Sequence, residues 1–351
     1  MGTLTMRVAL VTGRHEISLR DFPEPMPAPG KAVVEIAYCG ICGTDVHAWA
    51  SGAPYNPAIC GHEWAGVVRA CGADVRRVKD GDRVAIGIAS ACGACDACRA
   101  GHAEYCAVAF AGLLGTGSMA APHGGFARAI AIDATRLVRV GRDLTDVEAA
   151  MLEPATVALH AVRRAAPRLG DACVVIGAGP IGLLTLQCAR AAGAGRVVVV
   201  EPHAARRARA SALGAHAVID PASGPVIEQL RAVVGPLGAD VVFECAGVPQ
   251  TIEQSATLVR RGGTVALVGL ANEAATITPA TWLVNEVRLI AALGYLHEEF
   301  DMTMALVADG RLALTPLHTS TLRLRDIDRG FAALSSTVDE VKILVDPRED
   351  R

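Results

Sequence analysis

The sequence predicts an α/β fold in which residues 155–293 form a doubly wound parallel sheet. Three observations carry that prediction. The run Val174-Val175-Ile176-Gly177-Ala178-Gly179-Pro180-Ile181-Gly182 ends an apolar strand in a G-x-G-x-x-G turn and opens an apolar helical pattern through Leu183, Leu184, Leu186, Cys188 and Ala189. Strand and helix patterns then alternate up to Leu293, as βα units of one sheet do. At 351 residues the chain also has room for a second domain.

Each glycine of the turn has a mechanical reason. Gly177 permits the tight turn, Gly179 lets the backbone approach a pyrophosphate, and Gly182 lets helix and strand pack closely. With Pro180 and Ile181 they form a candidate phosphate loop. The phosphates would sit on unpaired N–H groups at the positive end of the helix dipole. The next strand, Val197 to Val200, ends at Glu201, 19 residues past Gly182. A carboxylate that binds ribose hydroxyls is expected there. Its charge would repel a 2′-phosphate, which predicts NAD rather than NADP. Arg206 and Arg207 count the other way, because arginine pairs with phosphate.

Further along, Arg206, Arg207 and Leu213 read as a helix and Ala217-Val218-Ile219 as a strand. Residues 224–235 and 250–260 read as helices. Val241 to Gly247, Thr264 to Gly269 and Val287 to Leu293 read as strands. The last of these is apolar and ends the sheet, an edge that invites pairing with a second copy. Residues 298–310 read as an amphipathic helix, and 317–346 as short strands and a helix. In front of the glycine turn, residues 7–12 and 32–38 read as strands. Pro23 to Gly30, with four prolines, is a rigid connection that fits neither helix nor central strand.

A net charge of −3 supplies no basic field for nucleic acid or an anionic membrane. Met1 to His15 lacks the charged-then-apolar pattern of a signal peptide. Ala172 to Ala189 carries no charge, but three glycines, Pro180 and Gln187 interrupt it; strand, turn and helix explain it better than a membrane span. The expectation is a cytoplasmic protein. In that setting the eleven cysteines point to metal or catalysis where they cluster. Cys71, Cys173, Cys188 and Cys245 stand singly in apolar surroundings and read as small core residues.

Two groups carry metal chemistry. Cys92, Cys95, Cys98 and Cys106 follow C-x2-C-x2-C-x7-C, and four thiolates so spaced can close on one structural zinc. A bacterial iron–sulfur run has three residues before its last cysteine and a proline after it; here there are seven, and Ala107 follows. The second group is Gly40-Ile41-Cys42-Gly43-Thr44-Asp45-Val46-His47 with Gly61-His62-Glu63, a mixed donor set that zinc accepts. Cys39 and Cys42 also form a C-x-x-C pair, but without the thioredoxin-like context of redox motifs.

Taken together, these motifs resemble the zinc-containing medium-chain dehydrogenases of the alcohol and sorbitol/butanediol type. The likeness spans essentially the whole chain. Gly61-His62-Glu63-Trp64-Ala65-Gly66, with Gly72 and Val75, is similar to the family's zinc signature. The cysteine cluster is similar to its structural lobe, and Gly124-Gly125-Phe126-Ala127 and Glu153-Pro154 fall where polyol-type members have them. The resemblance implies a β-rich GroES-like catalytic domain, residues 1–154 and 294–351 with the zinc lobe at 92–106, and a Rossmann domain at 155–293. It implies two zinc ions per chain, NAD as cofactor, and a dimer or tetramer of like chains.

Residue by residue, the resemblance makes Cys42 and His62 ligands of a catalytic zinc, with Glu63 and Glu153 as further candidates. Adjacent residues rarely aim two side chains at one ion, so water or substrate is expected to exchange with whichever glutamate is bound, Glu153 being the more frequent direct or water-mediated ligand. Asp45 would orient His62. Thr44 and His47 would relay a proton from substrate hydroxyl to solvent. Val268 and Leu293 would meet the nicotinamide carboxamide through their backbone, and Leu270, Ala292 and Tyr295 would line the substrate pocket. The implied reaction is hydride transfer between NAD and an alcohol or its carbonyl, with zinc as Lewis acid. Glu153 points to secondary alcohols, diols or polyols. Two other readings are a zinc-independent quinone or enoyl reductase on this fold, and a non-catalytic NAD-binding protein. The first would lack Cys42, His62 and the cysteine cluster, and the second the whole site, so both are disfavoured.

Overall fold

The computed structural model describes residues 4–336 and 339–349; residues 1–3, 337–338 and 350–351 of the expected first domain lie outside the described residues. The chain divides into two compact units. Unit 1 comprises Met1–Glu153, Leu296–Met304 and His318–Arg351, and unit 2 comprises Pro154–Tyr295 and Ala305–Leu317. Residues 305–317, expected in the first domain, group instead with unit 2. Gln187 explains the difference, because its amide donates to the Ala313 carbonyl and accepts from the Ala313 N–H.

In unit 1, strands β1 (Thr5–Gly13) and β2 (Glu16–Pro23) form an antiparallel hairpin. A second, seven-stranded sheet is built on β3 (Lys31–Gly40) and β4 (Glu63–Cys71). Next come β5 (Arg83–Ile86), β6 (Ala129–Asp133) and β7 (Leu137–Arg139). Strand β6 pairs with β3, and β7 pairs with β5. The alternation of β3, with Ala32, Val34 and Ile36 fully buried, sends one face into a core that also holds Trp64, Phe126 and Phe331.

Unit 2 carries the parallel sheet: β8 (Ala172–Ile176), β9 (Arg196–Val200), β10 (Ala217–Ile219), β11 (Ala239–Glu244), β12 (Val259–Leu267) and β13 (Arg288–Ala291). Their spatial order is β10-β9-β8-β11-β12-β13, doubly wound with the order reversing between β8 and β11. Strands β8 and β9 are buried on both faces, as sheets covered by helices are. That burial is why the Val- and Ile-rich runs show no alternation. The carboxyl ends of the strands at such a reversal are the usual ligand position in sheets of this kind.

The tail returns to unit 1 as β14 (His318–Arg323) and β15 (Lys342–Asp346). Strand β15 pairs antiparallel with β3 at Gly40 and Cys39. This brings the chain's end beside the segment that carries Cys42. Among the described residues, no helix is long and apolar enough to cross a membrane.

Candidate active site

Cys42 sits at the N-cap of the helix Gly43–Ser51. Asp45, in the first turn, accepts the Cys42 N–H at 3.0 Å. His62 follows the turn at Gly61 and precedes β4, whose first residue is Glu63. Ligand atoms of Cys42, His62 and Glu63 all lie within 4.8 Å of one another. Glu63, which the argument from adjacent residues disfavoured, is thus part of the cluster. Glu153 is buried at 7% exposure, and its charge acts on both His62 and Lys342.

Asp45 lies within ion-pair distance of His62, while the hydrogen bond at the imidazole goes to a backbone carbonyl. His62 Nδ1 is 2.9 Å from the Ile59 carbonyl and 4.0 Å from Asp45 Oδ1. Asp45 also ties the two ligand-bearing segments together. It accepts the N–H of Cys42 and of Gly61 (3.1 Å), and Tyr55 Oη donates to it at 2.8 Å. The carbonyl, three residues away along the chain, holds the imidazole with Nε2 directed elsewhere. Asp45 acts through the backbone and through its charge.

The field of this cluster favours a cation. Burial pulls the His62 pKa down, but Cys42, Asp45 and Glu153 more than offset it, and the net shift is well upward. Lys342 behaves alike: burial opposes its charge, while Glu63, Cys42 and Glu153 hold it protonated. Its ammonium lies 2.5 Å from Glu63 Oε2 and 3.0 Å from the Ile41 carbonyl. Removing one partner from such a buried pair costs about 3–5 kcal/mol. Among the described residues, the buried Thr44 Oγ1 has no hydrogen bond of normal geometry, although it acts on the Tyr55 hydroxyl. A thiolate, an imidazole, a carboxylate and a buried hydroxyl in one negative pocket fit a zinc with an open position. Thr44 and exposed His47 stand three residues apart on the same helix and so share a face.

The cysteine cluster also closes. Its four sulfurs lie within 4.8 Å of one another, with Cys95 and Cys106 Sγ 3.9 Å apart. Sulfurs at about 2.3 Å around a tetrahedral zinc would be about 3.8 Å apart. Cys92 Sγ accepts the N–H groups of Ala94 and Cys95, and Cys106 Sγ those of Cys92 and Ala109. Backbone N–H groups lower the Cys95 thiol to about 6, while Cys98, which shares protons with its neighbours, is raised to about 12 by desolvation first. The lowered thiols of Cys95 and Cys106 are suited to giving up their protons to a metal.

In unit 2, the glycine turn has the geometry of a phosphate cradle. Gly177 has φ +94°, which a side chain would strain. A Cβ on Gly182 would overlap the Gly177 carbonyl, whereas a Cβ on Gly179 would meet nothing within 4 Å. The space over Gly179 is open to a ligand, and Pro180 starts the helix Pro180–Ala191. Glu201 is buried, and its carboxylate accepts the N–H of Ala178 (2.8 Å) and of His203 (2.9 Å). It braces the turn with one lone pair of each oxygen and keeps others for a ribose. Arg207 is spoken for by Asp220 (2.8 Å) and by the Glu201 and Pro202 carbonyls. Among the described residues, the buried Arg206 Nε has no hydrogen-bond partner.

The residues expected near the nicotinamide differ in exposure and in backbone hydrogen bonding. The Val268 N–H already donates to the Glu244 carbonyl at 2.9 Å, so a ligand contact there falls to the Val268 carbonyl. Leu270 and Leu293 are exposed, at 60% and 67%, whereas Ala292 and Tyr295 are buried. Alternation along the extended chain after β13 separates Ala292 from Leu293.

Residues 28–142 match the alcohol dehydrogenase GroES-like domain, and residues 180–309 the zinc-binding dehydrogenase domain. The (R,R)-butanediol dehydrogenase of Bacillus subtilis (strain 168) is 30% identical over 357 residues, covering 97% of this chain and all of that protein. The chain belongs to the zinc-containing alcohol dehydrogenase family. Human sorbitol dehydrogenase is 31% identical over 331 residues, 92% of this dehydrogenase and 90% of that protein. The crystal structure of 2R,3R-butanediol dehydrogenase from Bacillus subtilis superposes with a TM-score of 0.84 at 30% identity, covering 97% of this chain and 99% of that one. A zinc-binding dehydrogenase target from Sinorhizobium meliloti 1021, bound to NADP, has a TM-score of 0.84 at 32% identity, covering 98% and 100%. This dehydrogenase is accordingly a zinc-dependent oxidoreductase acting on CH–OH groups.

Sequence reasoning missed three parts of its site: Lys342, Tyr55 and the Ile59 carbonyl. Only Lys342 left a signal, as the one charge inside the apolar run Val341 to Val345.

Proposed function

We propose that this enzyme oxidises secondary alcohols, vicinal diols or polyols to ketones, reversibly and with NAD. The observation that carries the reading is the meeting of Cys42, His62 and Glu63 within 4.8 Å, with the buried Thr44 hydroxyl two residues from Cys42. Cys42, His62 and a carboxylate would hold the zinc, with Glu153 the more frequent third donor because Glu63 is engaged by Lys342. Zinc when bound polarises the substrate oxygen, and NAD when bound accepts the hydride. Thr44 Oγ1 would take the substrate's hydroxyl proton as it gives up its own toward His47, exposed on the same helix face, from which a proton leaves to solvent. Asp45 keeps the Cys42 and Gly61 segments in place while this occurs. Glu201 selects NAD by occupying the side where a 2′-phosphate would lie; Arg207, bound to Asp220, is not available to pair with that phosphate.

The diol and polyol class is supported by relatives named for butanediol and sorbitol and by Glu153. A homo-oligomer, dimer or tetramer, is supported by β13 at the sheet edge, with Leu289 exposed on it and Leu283, Val284 and Leu293 exposed beside it. A cytoplasmic location is supported by eleven cysteines with no disulfide among them. The test is a panel of primary, secondary, diol and sugar alcohols with NAD or NADP, followed by absorbance of the reduced cofactor. Turnover of secondary alcohols or diols with NAD, lost in Cys42→Ala, is expected. Turnover confined to primary alcohols, or a lower KM for NADP, would overturn the reading.

A further inference from the structure

The carbonyl that holds the His62 ring belongs to a short turn, and that turn is fastened to the four-cysteine lobe. Pro57–Ile59 is a single 3-10 turn with Asn56 at its N-cap. Pro57 fixes its own φ, Asn56 Oδ1 accepts the Ala58 N–H at 3.0 Å, and the Asn56 carbonyl accepts the Ile59 N–H at 3.1 Å. The stiff turn ends at Ile59, whose carbonyl lies 2.9 Å from His62 Nδ1. A carbonyl only accepts, so Nδ1 carries the proton and Nε2 keeps its lone pair for a metal.

The Asn56 amide faces the other way. Its Nδ2 donates to the Leu114 and Gly115 carbonyls, each at 2.9 Å, which uses both N–H groups of the amide. These acceptors lie 58 and 59 residues away in the chain, directly after the helix Ala107–Leu113. That helix begins at the lobe cysteine Cys106, whose Sγ caps it by accepting the Ala109 N–H. Gly115 has φ +66°, and a Cβ on it would lie 2.8 Å from Ala58 Cβ and from Ile59 Cγ2. The end of the lobe helix is therefore packed on the turn as well as bonded to it. One path runs from Cys106 through its helix, the Asn56 amide and the Ile59 carbonyl to the imidazole.

We propose that Asn56 is a positioning residue that couples the four-cysteine lobe to the catalytic imidazole. The proposal rests on the reading that His62 holds one zinc and the cysteine lobe another. When the lobe loses its metal, the helix loses its anchor at Cys106 and its last carbonyls leave the Asn56 amide. The turn is then free to shift, and the Ile59 carbonyl no longer fixes the ring that aims Nε2. A lobe that only added stability would not act on His62 through this one side chain.

The test measures zinc release from the purified holoenzyme to a chromophoric chelator. The phase missing in His62→Ala marks the catalytic site, and the phase missing in Cys98→Ser marks the lobe; if neither variant lacks a phase, the zinc reading itself fails, separately from this proposal. Asn56→Ser keeps an oxygen for the Ala58 N–H but has no amide to donate to the lobe. It is expected to speed the catalytic phase about tenfold and to leave the lobe phase unchanged. Cys98→Ser is expected to speed the catalytic phase too, and the double variant to release that zinc no faster than the faster single variant, as two breaks in one path do. Thermal melting checks that each variant folds. Should Asn56→Ser not fold, Asn56→Asp, which keeps the size and the acceptor and loses the same donors, takes its place. Catalytic-site release at the wild-type rate in the Asn56 variant overturns the proposal, and so do effects of the two substitutions that multiply in the double variant.

Discussion

Gly179 and Gly182 lie three residues apart in one turn, yet the structure predicts opposite consequences for replacing them with alanine. At Gly179 the backbone is extended, with φ −73° and ψ −176°, a conformation alanine adopts freely. A Cβ there meets no protein atom within 4 Å. Gly179→Ala should therefore leave the fold intact and raise its stability by about 0.4–1 kcal/mol, through loss of freedom in the unfolded chain. The new methyl stands where the pyrophosphate approaches. Losing one hydrogen bond to a charged phosphate costs about 1.5–3 kcal/mol, or roughly a 10- to 150-fold weaker Kd for NAD. At Gly182 the Cβ overlaps the Gly177 carbonyl, so helix and turn must separate. Overpacking of that kind costs about 1–3 kcal/mol and lowers Tm by roughly 2–12 °C in a unit of this size. Scanning calorimetry without cofactor and calorimetric titration with NAD separate the two effects. A Gly179→Ala protein that binds NAD as tightly as wild type would refute the assignment of the turn as a phosphate cradle. A Gly182→Ala protein with unchanged Tm would refute the packing argument.

Other outcomes follow from the two metal groups and the cofactor acid. Cys98→Ser should lose one of two zinc ions by elemental analysis and melt several degrees lower, because the lobe closes only through its four sulfurs. His62→Ala should abolish turnover while NAD affinity measured by titration stays near wild type. Asp45→Asn keeps the shape but removes the charge and one acceptor; kcat should fall about 10- to 100-fold with faster zinc loss. Glu201→Gln should narrow the preference for NAD over NADP in kcat/KM by at least tenfold. It should also lower Tm, since the same carboxylate holds the Ala178 N–H.

What the sequence by itself determined is what depends on neighbours along the chain. The G-x-G-x-x-G turn, the four-cysteine cluster and the Cys42 to His47 segment each complete their geometry within some fifteen residues, so spacing and residue type suffice. The βα alternation was legible for the same reason, although it did not reveal that residues 305–317 belong with unit 2. The tertiary structure decided what depends on strand register and on closure between distant segments. Asp45 serves backbone N–H groups on two loops, and that role exists only once Gly61 is folded against the helix at Cys42. Glu63 enters the cluster because Gly40 lies opposite it and Lys342 arrives on β15. Glu201 braces Ala178 because β8 and β9 are parallel neighbours in register. Short-range chemistry is written in the order of residues, whereas long-range pairing is settled only when whole sheets assemble around a common core.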